Sequence, residues 1–452
     1  MNSKNKSRLK NFLETAAKLS YPETEYSKPI NFSLDYASKH GKFFDPLFKQ
    51  ISEEIEEQES RNRRAEDVKK RFEYAVRILI LNMMQARTLM KGNLYLCIPL
   101  NRNNFNLGNR YTPKEVTFNP FKDAVNGLIE SGYLTIHRKG FHDTEGFNGP
   151  LQTQISPTEK LIYQFESFKK EFSYIKSNKA KDETIILKAP DKKKQDYKDN
   201  SFTNRARKNL DLINNTLAKH DLKINVTNSE KAQLESSLIS RHIKDHETQP
   251  FIDFTAKKLY RIFSDGSFKR GGRFYRGWWQ NVPKEFRKFI TINDKGTIEL
   301  DYTSLHPSIL YAKEQLPLKG DAYKIHPKVA RRFGKQAFNA LLNAKGKPKK
   351  PSDFNEDEVG INWSNFQKMM MEKHQALTDR DYFMKGYGLN IQFLDSQLTE
   401  KVLIYFANKN IPCLPIHDSF IVCKDNELEL SNIMKKTYKD LFQSDIQIRK
   451  KG

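Results

Sequence analysis

The chain has 452 residues, with 78 Lys and Arg against 55 Asp and Glu, so its formal net charge is +23. This length is enough for roughly two or three domains, and the 37% of hydrophobic residues can form cores, which excludes a wholly disordered basic tail. The positive charge favours a polyanionic partner, nucleic acid first, because phosphates that bind Lys and Arg release counterions.

The cysteines and the apolar runs indicate the cellular compartment of the protein. Cys97, Cys413 and Cys423 are an odd number without CxxC spacing, which argues against a disulfide scaffold or a zinc ribbon. They suit a reducing cytoplasm. There is no run of about 18 apolar residues, so no membrane partner is expected, and the polar N-terminus predicts no secretion signal.

Residues 1–175 are predicted to be a mostly helical, nucleic-acid-binding region. Apolar residues recur at helical spacing over 65–89, and Thr-Pro-Lys at 112–114 predicts the start of another helix. Four elements follow, in the order helix, strand, Gly-rich turn and strand: residues 121–129, 133–136, 140–149 and 151–155. This order resembles winged-helix DNA-binding domains of replication proteins, and the alternative is a helical subdomain with one hairpin.

The segment 176–205 separates this region from the rest of the chain. It is rich in Lys and Asp and has few apolar residues outside 185–187, which predicts a charged linker or exposed loop. Residues 206–452 are predicted to be one larger domain. It opens with a helix over 205–218 and becomes rich in aromatic residues and Gly after position 251.

Two carboxylates in this domain are predicted to lie at strand ends. Residues 297–300 alternate as a strand that ends on Asp301 before a helix, and residues 413–422 form a hairpin with Asp418 at its tip. Two carboxylates on neighbouring strands can hold two Mg²⁺ ions for phosphoryl or nucleotidyl transfer. Taken singly, each Asp also fits a turn or a helix cap.

A third segment supplies cations at helical spacing. Pro327 can begin a helix that Gly346 and Pro348 end, and this helix presents a polar stripe of four residues spaced four apart, Arg331, Lys335, Asn339 and Asn343. One guanidinium, one ammonium and two amides in line suit triphosphate oxygens and a base or sugar edge. The alternative is a solvated basic face.

In this order the three segments resemble motifs A, B and C of the right-hand polymerases in the family A DNA polymerase and single-subunit RNA polymerase superfamily. The resemblance covers roughly residues 265–425. Further matches are Gly272-Arg273 and Gln280-Asn281-Val282-Pro283 before motif A, Arg287 after them, Gln392 and Asp395 on the helix before motif C, and His417-Asp418 in motif C itself.

The chain also departs from the family pattern. His306 stands five residues after Asp301, where family A enzymes carry Glu, and Asn343 stands where the fingers helix carries an aromatic residue. The short spacing from Asp301 to Lys335 implies abbreviated fingers. Ser419 after His417-Asp418 is closer to the RNA polymerase version. No proofreading exonuclease signature is evident.

The resemblance implies an α+β fold with a C-terminal right-hand polymerase palm, abbreviated fingers and a mostly helical N-terminal half with a winged helix. It implies a template-directed DNA polymerase that uses two Mg²⁺ ions, or Mn²⁺, in the replication of a mobile element, phage or plasmid. The implied partners are a DNA primer-template, dNTPs or NTPs, and other replication proteins.

The resemblance also assigns roles to individual residues. The metal ligands are Asp301, Asp418 and the carbonyl of Tyr302. The nucleotide-binding residues are Arg331, Lys335, Asn339, Asn343 and His306. The residues that contact the primer-template are Arg273, Gln280, Asn281, Arg287, Gln392 and His417.

The sequence leaves three alternative functions open. One is an RNA polymerase or primase of the same fold, the second is a non-catalytic DNA-binding protein like a replication initiator, and the third is a two-metal nuclease. A DNA-binding protein needs neither Asp301 nor Asp418, and a nuclease has no use for Arg331 and Lys335.

Overall fold

The computed structural model describes residues 26–36, 38–59, 64–90, 94–105, 108–140, 152–166, 175–177, 182–244 and 249–451. The chain divides into two compact units, Met1–Glu183 (unit 1) and Thr184–Gly452 (unit 2), and each contains helices and strands. Across these described ranges, none of the helices combines the length and the apolar character needed to cross a bilayer.

Unit 1 contains six strands and five α-helices in its described part. In chain order they are β1 (Tyr26–Pro29), β2 (Leu34–Asp35), α1 (Gly41–Gln58), α2 (Glu66–Met90), β3 (Leu94–Ile98), α3 (Gly108–Tyr111), α4 (Phe118–Glu130), β4 (Leu134–Arg138), β5 (Thr153–Pro157), α5 (Glu159–Glu166) and β6 (Lys176–Ser177).

A four-stranded sheet and two long helices form the core of unit 1. The strand order is β1-β3-β5-β4, with only β1 and β3 parallel, and β2 pairs with β6. Residues 78–81 of α2 are all buried, so the middle of this helix is enclosed on every side, whereas α4 buries one face through Phe121, Ala124, Val125 and Leu128.

The order α4, β4, β5 matches the predicted helix, strand and strand, but one detail differs. The helix predicted to open at 112–114 is absent: the amide of Val116 donates to the carbonyl of Pro113 in a turn, and α4 begins at Phe118. Residues 112–117 lack the apolar stripe that would hold a helix against the core. From position 141 onward, the predicted turn at 140–149 lies outside the described residues.

Unit 2 is larger and its elements run as follows: β7 (Ile185–Leu187), α6 (Ser201–Lys219), β8 (Leu222–Ile224), α7 (Asn228–Lys244), β9 (Tyr260–Ser264), β10 (Ser267–Tyr275), β11 (Ile290–Ile292), β12 (Lys295–Tyr302), α8 (Leu305–Lys313), α9 (Arg331–Asn343), α10 (Glu356–Val359), α11 (Trp363–Lys373), α12 (Gln375–Thr378), α13 (Gly388–Asn408), β13 (Leu414–Ile416), β14 (Ser419–Cys423), α14 (Glu427–Phe442) and β15 (Ile448–Lys451).

Two sheets organise unit 2. The larger has the order β13-β14-β12-β11-β8, and β15 pairs antiparallel with the second half of β12. The smaller has the order β10-β9-β7. Helix α13 packs against β10 and α6, and its buried residues include Ile391, Leu398, Val402 and Phe406. The centre of β12 is therefore hydrogen-bonded on both sides, by β14 and β15.

The segment predicted as a linker is partly built into unit 2. Ile185–Leu187 form a buried strand parallel to β9, because three consecutive apolar residues gain more from burial than from exposure. Helix α6 begins within the segment, at Ser201, where Asn200 and Thr203 form a reciprocal capping box. The helix expected over 205–218 is the main part of α6.

Candidate active site

Asp301 lies near the end of β12, between two neighbouring strands. It is paired with Ser419 of β14 on one side and with Arg449 of β15 on the other. Its side chain is almost fully buried. Because both flanking strands hydrogen-bond to β12, the backbone at Asp301 is held rigidly, which suits a residue that must present one carboxylate in a fixed position.

Asp418 lies in the two-residue turn between β13 and β14. Ile416 pairs with Ser419 across this turn, and His417 adopts the left-handed conformation with φ of 57°. That conformation costs about 1 kcal/mol or more for a residue with a Cβ, and such strain concentrates at functional sites. The turn places Asp418 directly before Ser419, the partner of Asp301, so the two carboxylates come from adjacent strands.

The two carboxylates, called here the carboxylate pair, influence each other electrostatically. Burial and the charge of Asp418 raise the pKa of Asp301, against the opposing influence of Lys451 and Arg449. For Asp418 the two influences have the opposite outcome. Burial alone would raise its pKa, but the charges of Lys451, Lys335 and His306 lower it by more, so its pKa lies below the ordinary value. The pair is a concentration of negative charge that nearby cations neutralise.

Two cations of β15, neither of which the sequence indicated, contact Asp301 of this pair. Arg449 donates from Nε and Nη2 to Oδ2 of Asp301, at 3.0 and 2.6 Å. Lys451 Nζ lies 3.3 Å from Oδ1 of Asp301 and 3.2 Å from Oε1 of Glu299. Oδ1 of Asp301 is buried and makes no hydrogen bond within the described part of the chain.

A cavity of about 200 Å³ opens beside Asp418. Most of the residues with predicted roles line it, together with others that the sequence did not indicate: Arg273, Tyr302, Ser304, Leu305, His306, Tyr323, Arg331, Lys335, Asn339, His417, Asp418 and Arg449. Acidic and basic side chains therefore face one small space, which suits a ligand that carries negative phosphates and a metal counterion.

One wall of this cavity is α9, and three of the four polar-stripe residues on this helix line it: Arg331, Lys335 and Asn339. The helix begins at Arg331 rather than at the predicted Pro327, because Val329 closes a turn onto the carbonyl of His326 before it. Gly334 brings the helix close to its neighbour: a Cβ there would lie 1.8 Å from the carbonyl oxygen of Tyr323.

The two cations of α9 differ in their contacts. Arg331 donates to Asp321 at 2.6 Å and to Oγ of Ser304 at 3.3 Å, and its guanidinium lies 4.9 Å from the centre of the Tyr323 ring. Lys335 is exposed and forms no ion pair with any residue that the structure describes. Lys335 is thus the cation available to an incoming anion without breaking an existing salt bridge.

His306 is held at the cavity wall by a buried charge pair. Arg273 donates from Nε to both oxygens of Asp395, at 3.1 and 3.0 Å, and its Nη2 also contacts this carboxylate. Nε2 of His306 lies 3.0 Å from Oδ2 of Asp395 and 2.9 Å from Nη2 of Arg273. These contacts fix the orientation of the imidazole ring.

Six predicted site residues do not line the cavity: Gln280, Asn281, Arg287, Asp301, Asn343 and Gln392. Gln280 donates to the carbonyls of Phe274 and Pro415, both at 3.0 Å. Arg287 donates to the carbonyl of Val282 and lies 3.4 Å from Glu299, and Asn343 donates to the carbonyl of Asn339. The side chains of Gln280 and Arg287 thus connect elements within unit 2, whereas that of Asn343 bonds within α9.

Comparisons with known proteins add little to this geometry. No family model matches the chain, and no curated protein matches its sequence. Among solved structures, the chain is similar to the POL domain of Pol1 from M. smegmatis in complex with DNA primer-template and dNTP, with 12% identity and a TM-score of 0.27. The match covers 55% of this chain and 64% of that one, so the chain spans less than two thirds of it.

Proposed function

We propose that unit 2 is a nucleotidyltransferase, a template-directed DNA polymerase that works with two divalent metal ions. The observation that carries this proposal is the cavity itself, which Asp418 lines together with the cations of α9, while Asp301 on the adjacent strand bonds to the lining residue Arg449. A triphosphate needs cations for its oxygens, and the reacting phosphorus needs a metal held by carboxylates beside it.

The carboxylate pair fits Mg²⁺ or Mn²⁺ in its chemistry. Both ions prefer oxygen ligands, and Mg²⁺ is commonly held by one or two protein carboxylates together with substrate phosphates and water. Oδ1 of Asp301 makes no hydrogen bond among the described residues, but Lys451 Nζ lies 3.3 Å from it and Arg449 holds Oδ2, so a metal ion at Asp301 would compete with these cations. No group of three or more His, Cys, Asp or Glu side chains that could hold a metal occurs among the described residues, so the nucleotide and the carbonyl of Tyr302 would complete the shell.

In this proposal Asp301 and Asp418 hold the ions, which when bound favour deprotonation of the primer 3′-hydroxyl and neutralise charge on the triphosphate. The residues of the cavity position the substrate. Lys335 and Arg331 bind the triphosphate oxygens, and Asn339 offers an amide on the same helix face. We assign His306 to the sugar of the nucleotide, where its ring, held by Arg273 and Asp395, would limit the space at C2′.

The N-terminal unit is proposed to bind the nucleic acid. Helix α4 followed by β4 and β5 is the order of a winged helix, and the chain as a whole has a net charge of +23. A cytoplasmic replication enzyme of a mobile element, phage or plasmid would use such a unit to stay on its template. We favour dNTPs over NTPs because His306 is bulky.

One observation favours a second candidate, a DNA-binding protein without catalysis. Arg449 and Lys451 already neutralise Asp301, as in a structural ion pair. A binding protein of this kind would take up no Mn²⁺ at the carboxylate pair. Mn²⁺ binding by the intact protein, measured by the loss of the free-ion electron paramagnetic resonance signal, therefore separates the two candidates.

The proposed function is tested by primer extension with carboxamide variants. We expect Asp301→Asn and Asp418→Asn to lower incorporation by about a hundredfold or more, because each removes stabilisation of transition-state charge, while affinity for primer-template stays nearly unchanged. Asp425→Asn is the matched control, since Asp425 is exposed and paired with Lys295. Incorporation by Asp418→Asn at the wild-type rate would contradict the proposal.

A further inference from the structure

A cation on β15 faces the same cavity as α9 and has a place in the proposed function. Register places Arg449 directly opposite Asp301, and its side chain is 48% exposed although both of its hydrogen bonds go to a buried carboxylate. Within the described residues, its second terminal nitrogen, Nη1, makes no hydrogen bond. The guanidinium therefore lines the cavity with the N–H donors of Nη1 still without an acceptor among these residues.

We propose that Arg449 is a nucleotide-binding residue that exchanges Asp301 for the phosphates of the nucleotide when a divalent cation takes the carboxylate. This inference rests on the proposed function of unit 2. Its physical basis is competition for one oxygen. Oδ2 of Asp301 accepts both hydrogen bonds of Arg449, and a divalent ion bound there has twice the charge of the guanidinium at a shorter distance.

Lys451, the other cation beside Asp301, would not lose its partner in this way. Lys451 contacts Glu299 as well as Asp301, and its side chain is only 19% exposed, so it keeps a carboxylate partner when Asp301 binds a metal. Arg449 has no second carboxylate partner in the part of the chain that the structure describes. Of the two, Arg449 is the one that loses its partner and is free to turn.

Where Arg449 would turn is limited by its strand. Backbone pairing of Glu299 with Lys451 and of Tyr302 with Ile448 fixes the strand on both sides of Arg449. The guanidinium can therefore move only within the reach of its own side chain, which is the cavity it already lines. There it joins Arg331 and Lys335 of α9, and Arg273, among the cations that line the space. A planar guanidinium binds phosphate oxygens through two parallel hydrogen bonds.

The inference is tested by two binding measurements on the full chain that do not depend on turnover. The first is the affinity for dATP with Ca²⁺, an ion that supports binding while limiting chemistry, and the second is the affinity for Mn²⁺ alone. We expect Arg449→Ala to bind the Ca²⁺ complex of dATP about tenfold more weakly, the usual effect of losing a charge-assisted hydrogen bond. We expect the same variant to bind Mn²⁺ more tightly, because a cation that competes for Asp301 is gone.

A neighbouring residue provides the control. Lys450 is on the same strand, but its side chain points to the other face and pairs with Glu427 at 3.1 Å, so Lys450→Ala should leave both affinities unchanged. Arg449→Lys, which keeps the charge, should fall between wild type and Arg449→Ala in both measurements. It also serves as the second variant if Arg449→Ala fails to fold.

The outcomes separate this inference from the proposed function. Unchanged dATP affinity in Arg449→Ala, alongside weaker binding in Lys335→Ala, would overturn the role of Arg449 and leave the proposed function standing. Weaker binding of both dATP and Mn²⁺ in Arg449→Ala and Arg449→Lys would show that Arg449 merely holds the strand, which also overturns it. A wild type that binds neither probe would contradict the proposed function itself.

Discussion

A single methyl group on α9 tests how closely the proposed nucleotide-binding helix is packed. In the variant Gly334→Ala the new Cβ would lie 1.8 Å from the carbonyl oxygen of Tyr323, whereas ordinary contacts begin at about 3.4 Å. The clash is with backbone, so no side-chain rotation can relieve it. Helix α9 must move away from the segment at Tyr323, and the cavity between them must change shape.

The expected change in the free energy of unfolding of Gly334→Ala follows from two opposing effects. Ala in place of Gly in a helix interior gains about 1 kcal/mol of helix propensity. Overpacking of a close contact costs about 1–3 kcal/mol, and a clash with backbone stands at the upper end. We therefore expect Gly334→Ala to lower the free energy of unfolding of unit 2 by about 1–2 kcal/mol, and to weaken nucleotide binding because Arg331 and Lys335 move with the helix.

The assay is urea denaturation followed by tryptophan fluorescence. All three tryptophans of the chain, Trp278, Trp279 and Trp363, lie in unit 2, so this signal reports that unit. The matched control is Gly346→Ala, since a Cβ at this exposed position meets nothing within 4 Å. The control should be neutral or stabilised by up to about 1 kcal/mol. Equal stability of the two variants would refute the close packing of α9.

Three further predictions concern the cavity and a buried histidine. Lys335→Ala should raise KM for the nucleotide and lower kcat, since an ammonium on the triphosphate acts in ground and transition states; unchanged nucleotide kinetics with weaker primer-template binding would reassign the helix to nucleic acid. His306→Ala should gain ribonucleotide incorporation, measured as kcat/KM for NTP relative to dNTP, by a factor of about 10 per 1.4 kcal/mol of clash relieved; a wild type that prefers NTPs, with the preference lost in the variant, would indicate an RNA-synthesising enzyme. Burial lowers the pKa of His374 below its ordinary 6.5, and Nε2 donates to the carbonyl of Ala322 while Tyr311 donates to Nδ1. The unfolded chain therefore binds the proton more readily, and the stability of unit 2 should fall as the pH drops below about 6.5; a pH dependence unchanged in His374→Asn would contradict this.

Local pattern was sufficient for the long helices. The apolar recurrence over 65–89 corresponds to α2, and the apolar stripe from Phe121 to Ile129 corresponds to α4, because helices of this length bury a regular face. It was insufficient where a short segment depends on distant partners. Ile185–Leu187 has charged surroundings in the sequence, and only pairing with β9, some 70 residues later, makes it a strand.

In the candidate site, too, residues with a local sequence signal could be predicted and residues that depend on distant pairing could not. The two carboxylates and the α9 cations could be found because each follows a recognisable strand end or helical spacing. Arg449 and Lys451 could not, since they reach Asp301 through strand pairing across about 150 residues and stand in a short basic run without a signal of its own. Nor did the sequence indicate that the amide of Gln280, predicted to contact the primer-template, donates to the carbonyl of Pro415 in β13.

The most direct measurement is extension of a primed DNA template by the wild-type chain, with dNTPs and NTPs in parallel and with or without Mg²⁺. The account predicts template-directed extension with dNTPs that requires the ion and is weaker with NTPs. Binding of the primer-template without extension, under every combination of nucleotide and of Mg²⁺ or Mn²⁺, would contradict it and identify a DNA-binding protein.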